Sequence, residues 1–370
     1  METNSSQTQQ PSIVAPRIVF TNHVPEAIDS MVEQLGNPPV YVLMDVNTQA
    51  FVMPLLQAQS SAVAKATAII TKAGDMNKNL EALSAIWKQL SDSNASRNSV
   101  LINVGGGLVS DLGGLAAATY KRGIKVINIP TTLLAAVDAS VGGKTAINFN
   151  GIKNQIGVFN EPEAVIVSTM FFNTLPQQQL LSGYAELIKH GLLDSTETLD
   201  ELLSFSVVYP RFNSEALMKV LEDSVMIKAR YVRQDFTDRN LRHALNLGHT
   251  MAHAIEAYGM EVLSPEPHGY AVAWGLVLEL ILSQMELGLD DGIVKKLADY
   301  VLTNYGAFDI IPQIYDKLID FMRNDKKNTS PDDINFTLLR RVGEPVIDCS
   351  VSSDRIKTAF DTYRTLMKLA

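Results

Sequence analysis

The sequence predicts an α/β N-terminal domain built on a parallel sheet, followed by an all-α C-terminal domain. Three observations carry this. Short apolar runs recur through the first half, with helix-like stretches between some of them. After about residue 180 the texture changes to long segments of helical periodicity. A chain of 370 residues also exceeds what one ordinary hydrophobic core organises.

Residues 1–11, rich in Ser, Thr and Gln, read as a loose tail. Val40 to Met44, Thr67 to Ile70, Val100 to Val104, Lys125 to Ile129 and Ala164 to Val167 read as buried strands. Lys78 to Leu90 and Leu112 to Tyr120 read as helices between strands, an alternation that predicts a parallel sheet. In the second half, Gly183 to Leu193, Ser214 to Val232, Leu241 to Tyr258 and Tyr270 to Leu287 have helical periodicity, and Asn335 to Ile347 fits a short hairpin. The division falls into 1–180 and 181–370, with the site expected in the cleft between them.

Composition narrows the class. Hydrophobic residues are 46% and charged residues 19%, the balance of a globular chain. A net charge of -9 lacks the basic field of a nucleic-acid binder, but a local basic pocket can still hold an anion. The single cysteine, Cys349, excludes an intrachain disulfide and fits a reducing compartment. Met1 to Gln10 lacks the apolar core of a signal peptide, and no uncharged apolar run reaches the roughly 20 residues that span a bilayer. The expectation is a cytoplasmic chain with neither membrane nor nucleic-acid partner.

Val100 to Val104 runs directly into Gly105, Gly106 and Gly107, and a helical stretch opens near Asp111. Strand, glycine turn, helix lets backbone N–H groups approach a pyrophosphate, although the same sequence also suits a plain tight turn. Lys121 and Arg122 near the far end of that helix either cap its dipole or face a phosphate.

Arg242, Asn246, His249 and His253 are spaced four, three and four, so one α-helix would carry them on one face. That stripe is either a solvated face or a site. Two imidazoles plus a carboxylate with an open fourth position make a catalytic zinc arrangement. His268, in a Pro-rich loop, is a second imidazole for it. Glu186 is the best carboxylate candidate, or else only a structural ion pair with Lys189 three residues on.

The stretch 130–157 carries Asp138, Lys144, Lys153 and Asn154 among small residues and reads as a loop. Gly142 and Gly143 before Lys144 would let backbone and ammonium converge on an anion. Thr131 and Thr132 at its start can hydrogen-bond a ribose or an amide. Lys228, Lys326 and Lys327 are further cations.

Seven stretches in order resemble one family. They are GGGLVSDLGGLAAATYKRGI (105–124), IPTTLLAAVDASVGGKTAIN (129–148), KNQIGVF (153–159), GYAELIKHGLL (183–193), LRHALNLGHTMAHAIE (241–256), HGYAVAWG (268–275) and NDKKN (324–328). Together they resemble the 3-dehydroquinate synthases of the sugar-phosphate cyclase group. Ser110, Ala252 and Tyr270 depart from the family's usual residues, and 235–240 lacks its usual acidic spacing.

The resemblance implies a dehydroquinate synthase-like homodimer, with an NAD-binding α/β domain over 1–180 and a helical metal- and substrate-binding domain over 181–370. It implies Zn2+, with Co2+ as a substitute, held by Glu186, His249 and His268, and His253 beside the substrate. NAD would lie on Gly107, Leu108, Val109, Ser110, Asp111, Thr131, Thr132, Lys144, Lys153, Phe171 and Thr174, with Gly74, Asp75 and Lys78 at its adenosine end. Substrate would meet Asp138, Lys144, Asn154, Lys189, Lys228, Arg242, Asn246, His253 and Lys326 or Lys327. Arg122 would reach the neighbouring subunit's site.

The implied reaction turns 3-deoxy-D-arabino-heptulosonate 7-phosphate into 3-dehydroquinate and phosphate, in the shikimate pathway. It proceeds through transient oxidation by NAD, phosphate elimination, reduction and aldol closure. Another sugar-phosphate cyclase and an NAD- and metal-dependent polyol dehydrogenase are the rival expectations.

Overall fold

The computed structural model describes residues 17–150, 152–207, 214–323 and 333–369. Its strands are β1 (Arg17–Phe20), β2 (Val40–Asp45), β3 (Thr67–Thr71), β4 (Val100–Gly105), β5 (Lys125–Pro130), β6 (Lys144–Phe149), β7 (Ile152–Phe159), β8 (Ala164–Val167), β9 (Asp333–Arg341) and β10 (Glu344–Ser352). The helices of the first half are α1 (Val24–Gln34), α2 (Val46–Phe51), α3 (Met53–Gln59), α4 (Ser61–Ala64), α5 (Leu80–Asp92) and α6 (Gly107–Thr119). Those of the second are α7 (Gln177–Leu192), α8 (Thr196–Ser204), α9 (Ser214–Gln234), α10 (His249–Glu261), α11 (His268–Leu287), α12 (Asp291–Tyr305), α13 (Tyr315–Arg323) and α14 (Ser353–Leu366).

Six strands form one parallel sheet in the order β1-β8-β5-β4-β2-β3. Alternation sorts its side chains into two cores. Val42, Met44, Ile102, Val104, Ile127 and Ile129 face the side packed by α1, α3 and α4, and this core runs on into the second-half helices. Tyr41, Leu43, Leu101 and Val126 face the other side, under α5 and α6. The chain goes from β2 outward to β3, then returns to the other side of β2 with β4. That reversal opens a crevice at the carboxyl ends of β2 and β4, where open α/β sheets bind ligands.

The second half is helical, with one addition to the all-α expectation. β9 and β10 form an antiparallel hairpin that extends beyond the one anticipated at Asn335 to Ile347. It braces the site. Thr337 Oγ1 donates to the His243 carbonyl at 2.8 Å, and the Leu339 N–H donates to Ser283 Oγ at 2.9 Å. Among the described residues α11 alone is long and apolar enough to cross a membrane, but 72% of that window is buried inside the fold.

Two other expectations are corrected. The stretch read as a loop contains a π-helical turn, Ala135–Ala139, and the antiparallel pair β6–β7. The stretch Leu241 to Tyr258 is not one helix. Leu241–Asn246 is a 3-10 turn, and Gly248 takes a left-handed conformation (φ +82°) before α10 begins at His249. Arg242 and Asn246 therefore do not share an α-helical face with His249 and His253. The break is stabilised by the buried Glu279 of α11. Its carboxylate accepts the N–H groups of Gly248 at 2.6 Å and Met251 at 3.2 Å, capping α10 from a neighbouring helix.

Candidate active site

Three helices assemble the centre. Glu186 lies mid-way along α7, fully buried, and His249 and His268 open α10 and α11. Close backbone approach brings them together. A Cβ on Gly269 would stand 1.9 Å from the Ser182 carbonyl oxygen of α7, and one on Gly275 2.1 Å from the Gly248 carbonyl oxygen. Only glycine allows these contacts. Ala252, a departure from the family pattern, is fully buried and fits here, while Tyr270 packs against Trp274 and Tyr305.

The Nε2 atoms of His249 and His268 stand 3.3 and 3.5 Å from the same oxygen, Glu186 Oε1. The ligand atoms of all three residues lie within 4.8 Å of one another. Tetrahedral zinc with bonds of about 2.0–2.1 Å places its ligand atoms roughly 3.3–3.4 Å apart. Neither Glu186 oxygen has a hydrogen-bond partner, although the Lys189 ammonium makes an ionic contact with Oε2. Lys189 compensates the carboxylate on the Oε2 side, and Oε1, facing the two imidazole nitrogens, is where a divalent ion would add to that compensation.

The other imidazole nitrogens are oriented, as ligating histidines require. His249 Nδ1 faces the Leu247 carbonyl at 3.1 Å, and His268 Nδ1 faces Glu256 Oε2 at 3.4 Å. Burial, then Lys189, pushes His249 down to about 4, so its ring is neutral. Burial opposes charge on His268, yet Glu256 and Glu186 raise it to about 10; the position favours a cation. Burial alone would raise Glu186, but Lys189 and His249 hold it well below the usual carboxylate range. This donor set fits a divalent metal.

Around the centre lies a ring of charges. Asp138, on the π-helical turn, accepts from Lys228 Nζ at 2.6 Å through its carboxylate. Asp138, Glu186 and His190 also bring ligand atoms within 4.8 Å of one another. His190 Nδ1 meets Ser224 Oγ at 2.7 Å, and burial, followed by Lys189, pushes this histidine down to about 3. Lys144 pairs with Asp238. Arg242 donates to the carbonyls of Phe236 at 2.7 Å and Gly142 at 2.8 Å. His253 is exposed one turn beyond His249, its ring edge-on at 5.6 Å, and Asn246 is half-buried at the end of the 3-10 turn.

The expected dinucleotide residues gather at the carboxyl end of the sheet. Gly107 to Asp111 form the first turns of α6, and the Thr131 N–H donates to the Gly105 carbonyl at 2.9 Å. Thr132 packs against Gly106. Ser110 is buried. Phe171 and Thr174 lie in the 3-10 turn after β8, with the Phe171 side chain in the core. Gly74, Asp75 and Lys78 line a turn before α5; Lys78 Nζ meets Asp111 Oδ2 at 2.9 Å and Asn154 Oδ1 at 2.5 Å. Lys153 reaches instead to Glu256, at 2.9 Å.

Arg122 is exposed at the opposite end of α6 from the glycine turn, away from this chain's centre. Lys326 and Lys327 lie outside the described residues. Three acidic residues escaped the sequence reading. Asp238 and Glu256 show their roles only through tertiary partners. Asp45, at the carboxyl end of β2 and capping α2, was detectable as an acid ending an apolar strand.

Fold and centre together define a class: a doubly wound α/β layer joined to helices that bring together two histidines and a glutamate able to hold a metal, beside the crevice at the sheet's carboxyl end. Residues 68–182 match the 3-dehydroquinate synthase N-terminal family, and residues 183–328 match the corresponding C-terminal family. A 3-dehydroquinate synthase of Parabacteroides distasonis is 41% identical over 348 residues, 94% of this chain and 98% of that one. The chain belongs to the 3-dehydroquinate synthase family.

Solved structures agree on the fold. A 2-epi-5-epi-valiolone synthase from Streptomyces hygroscopicus subsp. jinggangensis, with NAD+ and Zn2+ bound, has a TM-score of 0.85 at 22% identity, covering 97% of this chain and 99% of that one. A 2-deoxy-scyllo-inosose synthase, complexed with carbaglucose-6-phosphate, NAD+ and Co2+, has a TM-score of 0.80 at 24% identity, covering 93% and 96%.

Proposed function

We propose that this chain converts 3-deoxy-D-arabino-heptulosonate 7-phosphate to 3-dehydroquinate and phosphate, as an NAD- and metal-dependent cyclase of the carbon–oxygen lyase type. The single observation that carries the reading is the convergence of Glu186, His249 and His268 inside a ring of lysine and arginine. Glu186, His249 and His268 would hold a divalent metal, which would supply polarisation of hydroxyl and ketone oxygens, and the glycine turn would hold NAD, which would supply reversible hydride acceptance.

The chain's own residues supply position and charge. Lys228 and Arg242 hold the substrate carboxylate, Arg242 through paired N–H groups. Lys144 and Asn154, with Lys326 or Lys327, hold the phosphate beside the carbon that loses its proton. Fixed there, the phosphate itself can take that proton before it leaves. Asp138, Lys189 and His253 orient the hydroxyls. Residues 1–180 would hold the dinucleotide and 181–370 the metal, with the substrate between them.

We also infer a homodimer, with Arg122 serving the neighbouring site. Ile152, Ile156, Val158 and Phe159 on β7 are 39–49% exposed, apolar surface that a second copy would cover. Sedimentation at micromolar concentration tests this, and a monomer would refute it. A cytoplasmic location rests on composition and the lone cysteine.

The deciding experiment is incubation of the purified protein with the heptulosonate phosphate and catalytic NAD+. Inorganic phosphate should appear over many turnovers with no accumulation of NADH. NADH accumulating with a polyol would favour the dehydrogenase reading. Turnover only of a sugar phosphate without a carboxylate would favour another cyclase.

A further inference from the structure

Glu256 has no part in the reaction as assigned above, yet both its oxygens are committed. It lies on α10, only 5% exposed. Oε2 faces the metal-ligand histidine, His268 Nδ1, at 3.4 Å. Oε1 accepts from Lys153 Nζ at 2.9 Å. Lys153 stands on β7, in a two-stranded hairpin that joins no other sheet, and its side chain is 42% exposed. From Lys153 the charges continue. Asp75 lies 3.8 Å from Lys153 and 3.7 Å from Lys78, and Lys78 holds Asp111 at the glycine turn at 2.9 Å. Opposite charges thus alternate from a metal-ligand histidine to the dinucleotide crevice.

We propose that Glu256 is a positioning residue that couples metal occupancy to dinucleotide occupancy, by bridging His268 and Lys153. The inference rests on the reading of these two sites given above. A metal on His268 Nε2 draws density from the ring and strengthens the Nδ1–H bond to Glu256. Glu256, so fixed, holds Lys153 and its hairpin against the helical half, where Lys153 is placed to meet the dinucleotide. Coupling of this kind is reciprocal and commonly amounts to roughly 5–150-fold in affinity.

The test measures Zn2+ affinity by chelator competition with and without NAD+, and NAD+ affinity with and without Zn2+. The wild type should bind each ligand several-fold more tightly in the presence of the other. Glu256→Gln keeps the size and loses the charge; its Zn2+ affinity should fall about 10–100-fold and the mutual enhancement should vanish. Lys153→Met breaks the bridge from its exposed end. Because Lys153 is also expected to meet the dinucleotide, the enhancement is read at NAD+ concentrations that saturate this variant; it should be absent there, and Lys153→Arg should restore it. Should Glu256→Gln fail to fold, the Lys153 variants still decide. Wild-type enhancement in Lys153→Met, or none in the wild type, overturns the proposal. A wild type that binds no Zn2+ takes down the functional reading as well.

Discussion

The Glu186–His249–His268 cluster and the cationic wall beside it are built differently. Glu186, His249 and His268 come from buried helices, and the Glu186 oxygens lack hydrogen-bond partners. The wall is already neutralised from within: Lys144 pairs with Asp238, Lys228 with Asp138, Lys153 with Glu256 and Lys78 with Asp111. The first turns one buried carboxylate, whose Oε2 meets Lys189, toward two imidazole nitrogens through Oε1, leaving a point where three ligand atoms converge. The other stores its cations in internal pairs that an arriving phosphate or carboxylate must displace. Variants should therefore fail differently in the two regions.

The largest effect is expected at the centre. His249→Ala should abolish both turnover and bound metal. Elemental analysis showing retained metal stoichiometry in that variant would remove the ligand assignment. Next, Lys144→Ala should lower kcat by roughly 10²- to 10³-fold, as loss of a charged contact in an active site does. Its thermal midpoint should hold, because a half-exposed pair such as Lys144–Asp238 contributes only about 0–1 kcal/mol. Near-normal turnover would refute its role.

A smaller loss should follow Gly269→Ala. The added Cβ meets the Ser182 backbone, so α7 and α11 must separate, at a cost of about 1–3 kcal/mol. Thermal melts and Zn2+ titration should fall together in this variant. A stability loss with unchanged Zn2+ affinity would show that the close approach does not set the ligand geometry.

The subtlest test uses pH. Burial pushes Lys228 down to about 8, against the opposing pull of Asp138. The ammonium is therefore lost as pH rises through about 8, and kcat/KM for the anionic substrate should fall on that side. Lys228→Arg keeps its charge and should move that fall to higher pH; an unchanged profile would exclude Lys228 as its origin. For stability the sign is opposite. Between about 8 and the ordinary 10.5 the unfolded chain holds more protons at this residue than the folded one, so its contribution to stability grows with pH.

Much of the fold was legible in the sequence. Ala164 to Val167 matches β8 end for end, and Val100 to Val104 is β4 short of one residue, because short, mostly apolar runs bounded by polar or glycine residues have few alternatives. The hairpin β6–β7 was missed even though Asn150–Gly151 is a hairpin signal and Asn150 has a positive φ of 50°. Its exposed strand lacks the apolar density that marks a core element. The polar stripe failed because helical spacing says nothing of the left-handed turn at Gly248, which the distant Glu279 stabilises. The grouping of Glu186, His249 and His268 was legible through family resemblance, not spacing, since Glu186 and His249 lie 63 positions apart. Glu256 was invisible because its meaning lies in partners 12 residues ahead and 103 behind.

Anomalous diffraction at the zinc edge from crystals grown with Zn2+ tests the central claim most directly. A single strong peak is predicted about 2.0–2.2 Å from Glu186 Oε1 and from the Nε2 atoms of His249 and His268. A peak that none of these three atoms touches, or a Zn2+-replete crystal with no peak between α7, α10 and α11, would contradict it.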